Sequence, residues 1–460
     1  MRVLLLQAYL GRKEQLVVFP LGICYIATAL SNSGHDVRAL DLNLCGDPFT
    51  DLEKELRAFR PEVVGISLRN IDTTQKKDIF YYFKTLRPTA QLIKKVDPSI
   101  KTLIGGAGFS MFATEIMEKV TEIDMGVYLE GEESVVNLLG SISNPQKVKG
   151  IFCRDKGKIV FTGPEELPDV ERLPIPRRDF FEVNRYIDPA YVFSSIGIQT
   201  KRGCPLRCAY CTYPFLNGKR TRLRTPQSVV DEIEYLADRF GVKNFTFADS
   251  VFNIPSGHAE GICREIIRRK VNQKVRWTAW FEIKGFTEGI LYLAKEAGCY
   301  GISFSPDAAS DESLKALGKG IKEEDIYRSL EIAKSAKGVW FGYSFFCTPP
   351  GQDLRGFLKT VKLFFAVNLM LLGKGNANIS WIRVEPQTRM HTIAINEGVL
   401  KREDTLLPDD EKGLERLFYS CPATAWYADP VFSLLAGMRD TAQALVKKIK
   451  KGKKAAACSG

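Results

Sequence analysis

Short apolar runs alternate with amphipathic stretches along most of this chain, and they do so in two separate series. In the first, "RVLLLQA", "DVRALDLN", "EVVGISL", "KTLIGG" and "MGVYLEG" read as strands, and the segments between them carry helical periodicity, the first ending at Gly34. Strands apolar along their whole length are buried on both faces. They predict an open parallel sheet covered by helices, a Rossmann-like domain of flavodoxin type over residues 1–145. Ligands of such sheets bind beyond the carboxyl ends of the strands. Those ends fall at Tyr9 and Leu10, Asn43, Leu68 to Asn70, Gly105, Gly106 and Gly108, and Glu130 and Gly131. Glycine and small polar groups there suit close backbone approach to a large ligand, although a sharp strand-to-helix turn also asks for glycine.

Residues 146–195 read as a small hairpin, "KGIFCRDKGKIVFTG", followed by a charged, proline-rich linker. The second series starts at 196 with "SIGIQTKRG" and continues through "NFTFADS", "RWTAWFE", "GISFSPD", "VWFGYSFFC" and "NISWIRVEP". Only six strand–helix steps fit before 390, so a partial (β/α)6 barrel is expected over 196–390 rather than a closed one of eight. "LFFAVNLMLLG" (363–373) is too short to span a bilayer and reads as a buried helix. Residues 391–460 are less periodic. A small, mainly helical region that selects the substrate is expected there, with one amphipathic helix over 429–451 and a basic run, "KKIKKGKK", at 447–454.

The net charge of +11 permits an anionic partner, and a basic solvated surface explains most of it equally well. No secretory leader is evident, so the 11 cysteines argue for a reducing, cytoplasmic setting rather than a disulfide framework. Eight of them are scattered and read as buried thiols. Three are not: Cys204, Cys208 and Cys211 share the loop "RGCPLRCAYC" just after the first barrel strand. A structural zinc site wants a fourth ligand, and none of the three histidines (His35, His258, His391) lies in that loop. A chance cluster of packed thiols conflicts with Pro205, Arg207 and Thr212. The remaining reading is a four-iron four-sulfur cluster on three thiolates, with one iron left open.

The spacing C-x3-C-x-aromatic-C in this position resembles the radical S-adenosylmethionine (SAM) superfamily. "VVDEIEYLADRFGVKNFTFADSVFN", "LAKEAGCYGISFSPDAASDESLKALGKG", "TPPGQD" and "RVEPQTRMHTIAINEGVL" resemble its later barrel steps. "PLGICYIATALSNSGHDVRALDLN", "GGAGFS" and "DMGVYLEGEESVVNLL" resemble the cobalamin-binding domain of one subclass, whose methyltransferases are termed class B. The likeness spans roughly residues 1–390. It implies three cofactors: a 4Fe-4S cluster on Cys204, Cys208 and Cys211, SAM at the open iron with Tyr210 against its adenine, and cobalamin between the domains. The cobalamin ligands implied are Tyr9, Leu68, Asn70, Gly105, Gly106, Gly108, Glu130 and Gly131, with Arg383 as a further cofactor contact. No D-x-H-x-x-G loop exists to supply a lower histidine to cobalt.

The activity implied is methyl transfer to an unactivated carbon or a phosphorus centre, by way of a 5′-deoxyadenosyl radical and methylcobalamin. Cyclisation or rearrangement with the same cofactors is the alternative. A non-catalytic corrinoid or iron–sulfur carrier is a third reading, and it leaves the open iron without a purpose. Asp249, Glu282 and Asp307, at strand ends, are candidates for catalytic groups, against a reading as salt bridges of the barrel rim. Asp307 stands where relatives often carry the longer Glu. Cys347 reads as a core thiol or a second reactive one. A small-molecule, peptide or lipid substrate and an external one-electron donor of flavodoxin or ferredoxin type complete the expected partners. Peripheral membrane contact is an option raised by the basic tail, and no nucleic-acid-binding appendage is recognisable.

Overall fold

Five parallel strands build the first sheet: β1 (Arg2–Gln7), β2 (Asp36–Asp41), β3 (Val63–Ser67), β4 (Lys101–Gly105) and β5 (Met125–Val127). They run in the order β2-β1-β3-β4-β5 in the computed structural model, which describes residues 1–12, 17–188 and 191–434. Val3, Leu4, Leu5 and Leu6 of β1 are all buried, because helices cover both faces of the sheet. The strand order reverses between β1 and β3, which opens a crevice beyond their carboxyl ends.

The hairpin β6 (Ile151–Asp155) and β7 (Lys158–Phe161) is not free in a linker. It pairs antiparallel with β5 and completes a seven-stranded sheet. Phe152 and Phe161 face each other in register and stack at 4.6 Å. This caps an edge that would otherwise be unpaired.

The second module begins with β8 (Gly197–Ile198). A small ribbon, β9 (Lys201–Arg202) with β10 (Arg222–Leu223), brackets the cysteine loop. Five further strands follow: β11 (Asn244–Phe247), β12 (Arg276–Phe281), β13 (Cys299–Asp307), β14 (Trp340–Phe346) and β15 (Gly375–Ser380). Together with β8 they form an all-parallel sheet in sequential order, the partial barrel expected from six β/α steps. Its wall is filled by Trp277, Phe245, Phe252, Phe304, Phe341 and Tyr343, all essentially inaccessible. Beyond it, β16 (Ile382–Arg383) pairs with β17 (Phe418–Tyr419), and the described part of the C-terminal region adds the helices Arg389–Asn396 and Glu411–Glu415 and a helical stretch over 425–434.

One expectation fails here. The helix Leu354–Met370 is buried on one side only; Phe365, Leu369 and the following Leu372 are exposed. Of the amphipathic stretch 429–451, only residues to 434 are described; the basic run lies outside the described residues.

Candidate functional site

The cysteine loop is a tight turn braced from several sides. Gly203 takes φ +87°, and a Cβ there would meet the Arg220 carbonyl oxygen at 2.1 Å, so only glycine fits. The Cys204 amide donates to the Gly218 carbonyl at 3.1 Å. Midway round, the Ala209 amide donates to the Leu317 carbonyl (2.7 Å), and the Ala209 carbonyl accepts from the Met390 amide (2.8 Å). Two distant stretches of the barrel module therefore fix the loop.

Cys204, Cys208 and Cys211 are free thiols lining one cavity of 190 Å³, together with Tyr210, Tyr213, Trp280, Glu282 and Lys319. Among the described residues, no three His, Cys, Asp or Glu side chains are placed to hold one metal ion. The three cavity-lining thiols are one ligand short of a closed structural zinc site. A larger inorganic group held at three corners by thiolates, with one corner free, fits the same donors. Burial pushes the Cys211 thiol up to about 12 and raises Cys208 as well. Loading such thiols with metal releases their protons.

Beside the thiols lies a buried triad. The Tyr210 hydroxyl donates to Asp307 Oδ2, and Lys319 pairs with the same oxygen while donating to the Ser305 carbonyl at 2.7 Å. The Tyr210 ring is edge-on to Phe346 at 4.8 Å and has the Lys319 ammonium 5.6 Å from its centroid. Burial works against the Lys319 charge, but Asp307 outweighs it and holds the ammonium protonated well above its usual range. Lys319 was not among the candidates read from the sequence, although "LKALGK" carried the signal.

The three carboxylate candidates separate. Glu282 lines the cavity, and burial raises its carboxyl while Lys319 pulls it down. Asp307 does not line it, since Tyr210 and Lys319 occupy its reach. Asp249 does not either: it accepts from the Thr200 amide (2.8 Å) and hydroxyl (2.5 Å) and pairs with Lys201 at 3.4 Å. Asp249 is a clasp that ties the end of β11 to the start of the cysteine loop. Of the three carboxylates, Glu282 alone lines the thiol cavity.

A second cavity, of 420 Å³, lies between the modules. Arg69, Asn70, Thr74, Gly108 and Glu130 line it from the first sheet, and Thr212, Tyr213 and Glu385 from the second module. A third, apolar cavity of 290 Å³ runs under the helix Leu21–Asn32 and is floored by Gly65, Gly105, Gly106 and Gly131. Leu129, Glu130 and Asn217 border both of these spaces. A polar slot between modules that adjoins an apolar slot along strand ends suits a flat macrocycle with a long appendage. None of the three histidines lines any of these cavities.

The remaining candidates have other duties. The Leu68 backbone donates to Gly105 (2.9 Å) and accepts from Gly108 (2.9 Å). A Cβ on Gly106 would strike the Leu68 carbonyl oxygen at 2.5 Å, so chain packing demands this glycine whatever binds nearby. Tyr9 packs edge-on against Phe49 at 6.1 Å and lines none of the three cavities. Glu130 binds Arg202 (2.8 Å) and Arg222 in the second module, so it joins the two halves as well as facing both spaces. Arg383 meets a carboxylate, but that of Asp72 (3.2 Å), and is otherwise taken up by the Leu406 carbonyl (3.1 Å). Cys347 donates to Asp429 at 3.2 Å, and burial raises its thiol, so it is a structural thiol. A second residue that sequence reasoning passed over is Glu385. Burial pushes its carboxyl up to about 7, and the adjacent Arg383 is already committed to Asp72.

Two family models match the chain: a B12 binding domain over residues 10–139 and the Radical SAM superfamily over 198–364. An uncharacterised methyltransferase of Pyrococcus horikoshii is 28% identical, covering 83% of this chain and 79% of that protein. The cytidylyl-2-hydroxyethylphosphonate methyltransferase of Streptomyces wedmorensis is 28% identical over 70% of this chain and 67% of its own length. Among solved structures, the fold resembles TsrM of Kitasatospora setae, a radical S-adenosylmethionine methyltransferase with tryptophan and a SAM analogue bound. Its TM-score is 0.78 at 23% identity, covering 92% of this chain and 86% of that one. A second structure of the same protein, holding cobalamin and a [4Fe-4S] cluster, superposes with a TM-score of 0.77 at 23% identity, covering 93% of this chain and 89% of that one.

Proposed function

The chain belongs to the radical SAM superfamily, in the subclass with a B12 binding domain ahead of the barrel, and from that premise we propose that it methylates a carbon or phosphorus centre of a small molecule. The observation that carries this reading is the position of Tyr213. Its side chain lines both the thiol cavity and the intermodule cavity, so a small acceptor beside it is within reach of both. When bound, the cluster and SAM supply one-electron bond cleavage and cobalamin supplies a transferable methyl group.

The chain's own residues supply the rest. Cys204, Cys208 and Cys211 would hold the cluster through their thiolates. The Tyr210 ring, oriented by Asp307 and Lys319, would form a wall for the adenine. Glu282, a carboxylate lining that cavity, would meet the amine or ribose. Asn70, Gly108 and Glu130 would edge the corrin, while Gly105, Gly106 and Gly131 would floor the slot for its appendage. Enclosure between two modules keeps water away from reactive species and holds the reactants in order. The electron comes from an external flavodoxin- or ferredoxin-type donor.

The test is product counting. Anaerobically purified, cofactor-supplied protein is given SAM, a reductant and small acceptors beginning with tryptophan. S-Adenosylhomocysteine together with 5′-deoxyadenosine is expected. 5′-Deoxyadenosine alone would assign rearrangement instead, and the absence of both would overturn the enzymatic reading.

A further inference from the structure

The helix Leu354–Met370 is apolar nearly all round, yet only one side of it is covered. Phe357, Thr360, Leu363, Phe364 and Val367 are buried against the barrel. On the opposite side Leu354, Leu358, Phe365 and Leu369 are 57%, 56%, 45% and 74% exposed, and Leu372 in the next turn is 84% exposed. At about 100° per residue the first four fall within an arc of about 60°, a continuous stripe along the axis. A surface helix ordinarily turns charged groups to this side. Here the stripe is aliphatic and aromatic, with exposed Arg355 and Lys362 along one flank.

On the other flank lies the C-terminal segment. Tyr427 and Phe432 pack against Phe357 of the helix at 5.1 and 5.4 Å, while Trp426, Val431 and Leu434 are 78%, 38% and 66% exposed. The sequence beyond Leu434 carries seven basic residues and one acidic, net +6 of the chain's +11. This basic sequence begins three residues after Phe432, which packs on the same helix that bears the stripe.

We propose that this stripe docks the protein onto an anionic lipid surface, with the helix lying in the interface. Among the described residues no helix is long and apolar enough to cross a membrane, so the contact is peripheral. Stable peripheral attachment takes two signals, and the sequence carries both: the leucines enter the headgroup boundary and the basic run is attracted to anionic lipid. A second copy of the chain is a poorer occupant, because two copies that each carry a net charge of +11 repel each other. The helix follows β14, so its Leu354 end lies at the barrel face that holds the cysteine cavity.

The experiment is flotation of the anaerobically purified full chain with phosphatidylcholine vesicles, with or without about one third phosphatidylglycerol. Binding to the anionic vesicles is expected, weakened by salt, and reduced about tenfold by Leu369→Glu with Leu372→Glu. Tyr292→Glu, at an exposed aromatic on a different helix (73%), should leave binding unchanged. Iron content and SAM cleavage report that each variant is intact. No binding to anionic vesicles overturns the proposal. So does binding that the stripe substitutions leave intact, which would assign attraction to the basic run alone. A wild-type dimer by light scattering that Leu369→Glu with Leu372→Glu makes monomeric, without vesicle binding, would give the stripe to a second copy and also overturn it.

Discussion

The Glu130 carboxylate accepts a hydrogen bond from the Arg202 guanidinium at 2.8 Å, and that single contact crosses from the first sheet to the strand that launches the cysteine loop. Arg222 reaches the same carboxylate from the other strand of the ribbon, and Arg202 also binds Glu132 at 2.5 Å. All four side chains are largely shielded from water, so the two modules are locked by charge at the point where their cavities meet.

Removing the shared acceptor should be costly. Glu130→Gln takes the paired carboxylate from Arg222 and leaves Arg202 with Glu132 alone, and is expected to destabilise the protein by about 3 kcal/mol. The midpoint of urea unfolding at constant pH measures this. A shift no larger than that of a surface Glu→Gln control would contradict the interlock.

The Asp307–Lys319 pair predicts a non-additive double variant. Lys319→Met alone strands a buried carboxylate beneath Tyr210 and should cost about 3 kcal/mol, whereas Lys319→Met combined with Asp307→Leu should recover most of that loss. Thermal unfolding of the apo-protein reads both. Additive penalties would mean the pair is not coupled.

The thiols divide into two classes. Cys204→Ala, Cys208→Ala and Cys211→Ala should each abolish iron retention and SAM cleavage. Cys347→Ala should keep the iron and lose only about 1 kcal/mol with its bond to Asp429. Iron analysis after anaerobic reconstitution distinguishes them.

Glu385 gives a signed pH dependence. Its folded-state value of about 7 lies above that of an unfolded Glu, so the folded chain holds this proton more tightly. Stability from the group is full below about pH 4 and lost as pH rises through 7, up to about 3 kcal/mol. Arg383 and Asp72 are the charged groups that act on it, and Arg69, Glu130 and Tyr213 line the same cavity. Glu385→Gln should therefore leave the melting temperature unchanged near pH 4 and raise it at pH 8. Parallel melting curves at the two pH values would refute this.

Much of the architecture is legible from residue order because it rests on local signals. Strands apolar at every position, such as Val3 to Leu6, can only be buried on both faces, and the count of six later steps rules out a closed barrel. The three cysteines are legible because chemistry fixes their spacing. What escapes is anything set by distant partners. Asp249 and Asp307 look like reactive carboxylates in one dimension, and Thr200, Lys201, Tyr210 and Lys319 claim them in three. Arg383 could not be matched to Asp72 from sequence, because the pair joins different modules. Gly106 reads as room for a ligand until the Leu68 carbonyl oxygen is found 2.5 Å from where its Cβ would be. The stretch 363–373 reads as buried because it is apolar at almost every position, and composition does not reveal which side finds a neighbour.

The bracing of Ala209 by Leu317 and Met390 has a consequence for how the holoprotein comes to exist. A nascent chain carries all three cysteines long before it carries either brace. Until then the loop lacks both backbone braces, so the arrangement of its three thiols is a property of the completed barrel and not of the local sequence.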